Sequence, residues 1–323
     1  MKKLFFLLLL TFGCLWAWAL PVAANTTWEP GALALGLDAR SFGMGGACLT
    51  VLDAWAEPYN PAALPFLPRQ GFWFGRFTNP YVDSAELKGD QLHLHLGYLH
   101  PETENGAYAI TAYRHRFLWD YIGVVGYNHS YTDLAVFQYG YGYRLNERLA
   151  LGFNVRRVAQ TDEIEEEATG ALLMRKNTYL SFDIGGVFRL NKAIAASVLV
   201  TDVFAPKIHF NIGGTDYLYD VTPRVLFGGA FRLGDFFIFA LDLDGDFINF
   251  DELLAATRIG VEIRPLPFVA IRSGCYHGWD TIGFGLRLGR MEGLEMALDF
   301  AQYWPNEGDI LSRVQTWEMT IRF

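Results

Sequence analysis

The chain has 323 residues, 51% of them hydrophobic and 16% aromatic, and a formal net charge of −9. An acidic balance without clustered Lys and Arg excludes nucleic acid as a partner, because phosphate binding needs concentrated positive charge. Past the N-terminus no stretch approaches the ~20 apolar residues of a membrane-spanning helix, so the apolarity must be dispersed in a pattern.

Residues 1–24 read as a cleaved secretory signal: Lys2 and Lys3 are the positive start, Leu4–Leu10 the apolar run, and Val22-Ala23-Ala24 the small residues before a cut near Asn25. Lipoprotein cleavage ahead of Cys14 is the competing reading, and Thr11-Phe12-Gly13 fits it poorly. Cys48 and Cys275 then remain. A disulfide is permitted outside the cytoplasm, but sequence does not show that the two meet, and separately packed thiols are the plainer reading.

Residues 25–69 are rich in Gly, Ala and Pro and lack long alternation, which predicts a plug segment rather than strands. Gly43, Gly45 and Gly46 permit tight turns and close packing. Asn60-Pro61-Ala62-Ala63-Leu64 reads as a cap residue, a proline at the first helical position, then helix formers. Arg40, Asp53 and Glu57 are candidates to pair with charges on an enclosing wall.

From residue 70 to 323 the pattern has period two, as in strands whose successive side chains face opposite ways. Leu92, Leu94, Leu96 and Tyr98 oppose His93 and His95; Leu149, Leu151, Phe153 and Val155 oppose Arg148, Asn154 and Arg156. Ile259, Val261 and Ile263 oppose Arg258, Glu262 and Arg264; Ile282, Phe284, Leu286 and Leu288 oppose Gly283, Gly285 and Arg287; Leu294, Met296, Leu298 and Phe300 oppose Glu295 and Asp299. About fifteen such runs occur, each near the ~9–11 residues of a tilted transmembrane strand, and bacterial barrels normally have an even number. The expectation is an all-β, antiparallel transmembrane barrel of about 14 strands with a short helical plug, the stretch 120–145 being hardest to divide. A soluble sandwich also alternates, but its polar face tends toward Lys and Thr. Here that face holds Gly, Ala and single charges of both signs, while Tyr139, Tyr141 and Tyr143 resemble an interfacial aromatic girdle.

Long connections are expected at 160–176, containing Asp162, Glu163, Glu165, Glu166 and Glu167, and at 211–223 and 303–313; turns are expected at Leu145-Asn146-Glu147 and Leu233-Gly234-Asp235. The polar faces gather Arg148, Arg156, Asp242, Asp244, Arg258, Glu262, Arg264, Arg287, Glu295, Asp299, Glu318 and Arg322 toward the lumen. Mixed signs point to a mutually neutralising network that holds the plug, since a selective pore shows one sign at its constriction.

Three chemical readings are weak. Asp242-Leu243-Asp244-Gly245-Asp246 has Gly at the fourth position and Leu253 at the twelfth, which is not an EF-hand loop. His93 and His95 share a face but have no third ligand at metal spacing. His129 and Ser130 are sequence neighbours on a strand and point apart, and no G-x-S-x-G elbow is present. No enzymatic activity, metal or cofactor is therefore expected.

At the C-terminus Trp317, Met319, Ile321 and Phe323 share one face. A terminal aromatic preceded by alternating apolar residues resembles the signal read by the barrel-assembly machinery.

The string Leu35–Leu64 resembles the N-terminal signature of FadL-like barrels, and among them the PorV/PorQ group. Its parts are Asp38-Ala39-Arg40-Ser41-Phe42-Gly43-Met44-Gly45-Gly46-Ala47, Asp53-Ala54 and Asn60-Pro61-Ala62; Asp38 stands where the group usually has Gly, and Trp55-Ala56-Glu57 replaces a more Ser-rich run. The resemblance covers about 30 residues. It implies a fourteen-stranded barrel with an N-terminal hatch in the bacterial outer membrane, in contact with its lipids. It also implies one of two roles: an accessory of protein secretion or surface attachment, whose long loops touch exported proteins, or a passive transporter of lipophilic small molecules. The short chain favours the first.

Overall fold

The computed structural model describes residues 38–323 apart from 53–58, 68–69, 84–86, 124–125, 167–170, 205–206, 213–214, 221–222, 247–255, 277–278, 292–293 and 305–313. The proposed signal segment 1–24, Asp53 and Glu57 therefore lie outside the described residues. A helix α1 (Ala39–Gly43) and a 3-10 helix (Pro61–Phe66) precede sixteen strands. These are β1 (Gly71–Asp83), β2 (Leu87–Pro101), β3 (Gly106–Gly123), β4 (Gly126–Arg144), β5 (Leu149–Glu166), β6 (Ala171–Arg189), β7 (Ile194–Thr201) and β8 (Lys207–Ile212). They continue with β9 (Thr215–Asp220), β10 (Arg224–Leu233), β11 (Phe237–Asp246), β12 (Ala256–Leu266), β13 (Val269–Tyr276), β14 (Trp279–Met291), β15 (Leu294–Trp304) and β16 (Val314–Arg322).

Fourteen of the strands form a closed antiparallel barrel, with β8 and β9 making a separate two-stranded sheet between β7 and β10. Closure is made by β1 against β16, from Gly71 opposite Arg322 to Thr78 opposite Gln315. The period-two pattern has one apolar side outward. Leu298, Phe300, Trp317 and Phe323 are exposed, while Asp299, Ala301, Thr316, Glu318 and Arg322 are buried inside. An exposed apolar belt around a sheet with no edges is what hydrocarbon demands, since lipid offers no partner for a backbone N–H. A soluble sandwich would bury that face.

The rims differ. At one end, tight turns join β2–β3, β4–β5, β6–β7, β10–β11 and β12–β13. Their chemistry is local: Asn146 Oδ1 accepts from the N–H groups of Arg148 and Leu149 at 2.9 Å, and Asn191 Oδ1 from Ala193 and Ile194 at 2.7 and 2.8 Å. Outside this rim Phe72, Tyr98, Tyr108 and Tyr139 stack in sequence around the wall, with ring centroids 4.6–6.5 Å apart, and Phe323 lies 5.7 Å from Phe72.

At the other end the wall is uneven. β3–β6 have 18 or 19 residues each, against 8–13 for β7 and β10–β16. The surplus raises one side of the barrel beyond the apolar belt.

Three expectations are corrected. The charged loop 160–176 is largely strand, paired from Gln160–Asn177 to Glu166–Ala171. Within 211–223, Asn211 and Ile212 pair with Asp216 and Thr215 as part of β8 and β9 rather than lying in an irregular loop. Arg148 is exposed in the turn after β4, not in the lumen, because the alternation in sequence runs one step past the start of β5. The uncertain stretch 120–145 is a hairpin, continuously paired from Gly106–Tyr143 to Gly123–Gly126.

Candidate functional site

Inside the barrel sits a hatch made of Asp38–Leu52 and Tyr59–Leu67. Its first half packs α1 against β13–β16, and its second half packs the 3-10 helix against β2–β6.

Local chemistry shapes each half. Asp38 caps α1, its Oδ1 accepting from the N–H of Arg40 and of Ser41 at 2.9 Å each, and the Tyr59 hydroxyl donates to its other carboxylate oxygen. Gly45 and Gly46 have φ of +62° and +77°, a left-handed turn that glycine adopts at little cost. Asn60 caps the 3-10 helix by accepting from Ala62 N–H at 3.0 Å. Its amide donates to the carbonyls of Gly186 and Val198 at 3.3 and 3.2 Å, tying the hatch to β6 and β7.

The wall receives the hatch through glycine. A Cβ on Gly142 or Gly152 would strike Pro61, on Gly185 Asn60, on Gly228 Thr50, on Gly260 and Gly274 Met44, and on Gly283 Gly43. The lumenal glycines are thus a collar on which hatch backbone, or at Gly185 and Gly228 a hatch side-chain oxygen, lies directly against strand backbone, and any larger residue would hold the two apart. Between α1 and Tyr59 a cavity of about 10 Å³ is lined by Asp38, Arg40, Ser41, Met44, Cys48, Val51 and Tyr59, about the space of one water.

Charge fixes the hatch in rotation. Arg40 Nε donates to Glu262 Oε2 at 2.9 Å and its Nη2 to Oε1 at 3.3 Å. The same carboxylate accepts from Arg264 Nε at 2.6 Å and Arg272 Nε at 2.7 Å, and Arg272 Nη1 continues to Asp299 at 2.5 Å. Asp242 Oδ2 accepts from the backbone of Cys48 and Leu49 at 2.7 and 3.0 Å. This carboxylate, weighed in sequence as a cation ligand, is directed at hatch amides. Arg258 is buried, with its Cδ 3.2 Å from where a Cβ on Gly46 would stand. Arg287 and Glu295 are half-buried on lumen-facing positions near the short-turn rim, and Asp244 lies on β11 opposite Leu226 and Ala256.

The alternation in sequence pairs Arg156 with no partner. The structure gives it two carboxylates and a hydroxyl: Arg156 Nη2 lies 2.6 Å from Asp183 Oδ1, 3.0 Å from Asp202 Oδ1 and 3.2 Å from Ser181 Oγ. Asp183 sits on the lumenal face of β6 with Tyr179 and Ser181, and the same period-two reading finds it. Asp202 sits just beyond β7 at φ +56°, a backbone that no alternation foretells. His95 is also buried, its Nε2 3.2 Å from Glu318 Oε2. Cys48 belongs to the hatch, whereas Cys275 occupies an outward position on β13; no disulfide joins them.

Further from the short-turn rim, the lumenal faces of β3–β6 carry an apolar cluster, with buried His115 on β3 opposite its Leu134. Tyr113, Leu134, Val136, Val158 and Tyr179 form one buried cluster, one to two strand positions beyond the Arg156–Asp183 pair.

These features define a transmembrane β-barrel occluded by its own N-terminal segment. Solved structures share the barrel fold. The chain has the fold of the FadL-like barrels: TbuX of Ralstonia pickettii, described as a toluene transporter, superposes with a TM-score of 0.63 at 10% identity over 90% of this chain and 97% of that one. TodX of Pseudomonas putida, also described as a toluene transporter, gives 0.61 at 12% over 89% and 96%. A FadL homologue of Pseudomonas aeruginosa gives 0.60 at 9% over 88% and 98%. At such identities the likeness is one of fold. No protein-family model and no curated protein matches the sequence.

Proposed function

We propose that the protein is a non-enzymatic outer-membrane channel for small apolar compounds, closed at rest by its hatch. The observation that carries this reading is the apolar cluster Tyr113, Leu134, Val136, Val158 and Tyr179. A water-filled pore for ions has no use for such a surface, and a lipophilic solute gains by leaving water for it. The transporter reading thus displaces the secretion role that the short chain favours in sequence. The described functions of TbuX and TodX support the choice, and toluene is the natural probe. In this reading residues 1–24 are removed on export, 25–69 supply the hatch and 70–323 the barrel, and Trp317, Met319, Ile321 and Phe323 serve barrel assembly.

The test is toluene uptake by cells that lack other such channels, with and without Val158→Glu. A carboxylate in the apolar cluster costs its solvation to any solute that must pass, and uptake should fall about tenfold or more while the barrel still assembles. Unchanged uptake would sink the proposal. A secretion accessory is the second reading, supported by the Leu35–Leu64 signature; it requires a near-stoichiometric exported protein to co-purify from mild detergent.

A further inference from the structure

The outward face of β1–β5 changes character abruptly at the upper edge of the apolar belt. On β1 the exposed residues Phe72 and Phe74 are followed by exposed Arg76. On β3 the outward side passes from Tyr108, Ile110 and Ala112 to Arg114 and Arg116, and on β5 from Leu151, Phe153 and Val155 to exposed Arg157. Register places Arg76 and Arg114 together, with Arg157 further round the wall. Arg76 lies opposite Leu94, which lies opposite Arg114, so their backbones are two strand spacings, about 10 Å, apart. Arg157 lies opposite Phe137, which lies opposite Ala112, one outward position below Arg114. Asp133 is an acidic group within the patch: Arg114 donates to it through both Nε, at 2.8 Å, and Nη2, which leaves its Nη1 edge outward, and Arg116 Nε lies at 3.7 Å. Tyr131 also donates to it, at 3.1 Å. Three net positive charges remain, on a chain whose overall charge is −9.

At the corresponding step on the opposite wall the outward residues are Thr257, Ser273, Gln302 and Gln315, with half-buried Asp280. Among the described side chains the basic patch is thus confined to one side. The apolar residues between and beneath the arginines (Leu94, Leu96, Phe137 and Phe153) are exposed and face acyl chains. A guanidinium at the belt's edge sits at headgroup depth, and its planar fork matches phosphate oxygens. We infer that the outward face of β1–β5 seats a phosphate-bearing lipid headgroup of the leaflet at the long-wall rim, clamped by Arg76, Arg114 and Arg157 with its chains along Leu94–Phe137. This rests on the outer-membrane reading only for which leaflet supplies the lipid. Short turns mark the periplasmic side of such barrels, so the patch meets the outer leaflet.

The experiment is native mass spectrometry of the purified, detergent-solubilised barrel titrated with diphosphorylated lipid A, with phosphatidylethanolamine and inorganic phosphate as separate arms. Wild type should retain the lipid A in preference to the zwitterionic lipid. The double variant R76Q/R157Q should bind it about 30-fold more weakly, at a factor of roughly five per surface charge. Asp133→Asn, which removes the opposing charge, should strengthen retention. Because the two variants move in opposite directions, a folding defect cannot produce both results. Equal retention by all three proteins overturns the proposal, as does competition by inorganic phosphate, which would make the patch a simple anion site. Toluene uptake reports on the lumen and should be unaltered in R76Q/R157Q, so failure of the channel reading and failure of the lipid seat are told apart.

Discussion

Glu262 is where the hatch is most exposed to a single change. Its carboxylate is fully buried and serves Arg40, Arg264 and Arg272 at 2.9, 2.6 and 2.7 Å. Replacing it with Gln keeps the volume and removes the charge that three guanidiniums share; Asp299, 2.5 Å from Arg272, is then the carboxylate left in the chain of contacts. Removing one partner of a buried ion pair costs about 3–5 kcal/mol, because the opposite charge stays buried. Replacing Arg40 with Met leaves Glu262 with two partners and forfeits hydrogen bonds to a charged group, about 1.5–3 kcal/mol. The expected order is therefore E262Q worse than R40M, although Arg40 is the residue on the hatch. Where that energy falls on hatch seating, the unseated population should rise on the order of 10² to several 10³-fold in E262Q, at about 1.4 kcal/mol per decade. Limited proteolysis of the hatch in detergent reads that population, and planar-bilayer conductance reads its effect on the lumen. If E262Q resists protease as wild type does, or if R40M is the more labile, the account of a charge-held hatch is wrong.

Other perturbations test separate contacts. Gly45→Ala combines a left-handed φ with a Cβ 2.5 Å from the Cys275 nitrogen; it should destabilise the hatch by at least the ~1–2 kcal/mol of the backbone conformation alone, visible in the same proteolysis assay. Asp242→Ala strips the acceptor from two buried amides and should cost about 1–3 kcal/mol in thermal unfolding; a shift no larger than that of an exposed Asp235→Ala control would count against it. Leu298→Lys puts a charge on the exposed belt and should cost about 2–4 kcal/mol if that face meets the bilayer middle, measured by equilibrium folding into lipid vesicles. The same substitution at Thr178, beyond the belt on β6, should be nearly neutral.

The outward face was legible because hydrocarbon and lumen ask opposite things of successive residues, and β15 and β16 satisfy both in strict alternation. The hatch was legible for another reason. Asn60-Pro61 and the Gly43–Gly46 run encode caps and a left-handed turn locally, and the structure realises both. What sequence could not give is partnership across distance. Arg40 and Glu262 are 222 positions apart, and nothing in either neighbourhood names the other. The lumenal glycines of β4–β6 and β10–β14 look like weak strand residues until the hatch backbone is laid against them. The extent of β5 and β6 was missed because acidic residues suggest a loop, whereas a strand above the membrane needs only a paired backbone.

The distribution of charge and apolarity inside the barrel bears on the proposed channel. The charges around the hatch are directed at one another: Glu262 at three arginines, Asp299 at Arg272, Asp242 at hatch amides, and Arg156 at Asp183 and Asp202. Charges so engaged do not create the one-sign field that selects ions at a constriction. They do hold the hatch at a defined height, because each bond is made in a low dielectric and has a direction. Beyond the Arg156–Asp183 pair the lumenal faces of β3–β6 carry the apolar cluster, with buried His115 opposite Leu134; on the proposed reading a lipophilic solute would be retained there. The solute then meets a stopper whose backbone touches the glycine collar on most sides. Displacing the whole hatch would break the α1 network and the Asn60 ties together, whereas shifting the α1 half alone breaks only the first. The cavity beside α1 and the two left-handed glycines at its end place any such movement there. Fixing α1 to the wall should then stop toluene uptake, while fixing the 3-10 helix should leave it intact, and equal loss from both would show that the hatch moves as one body.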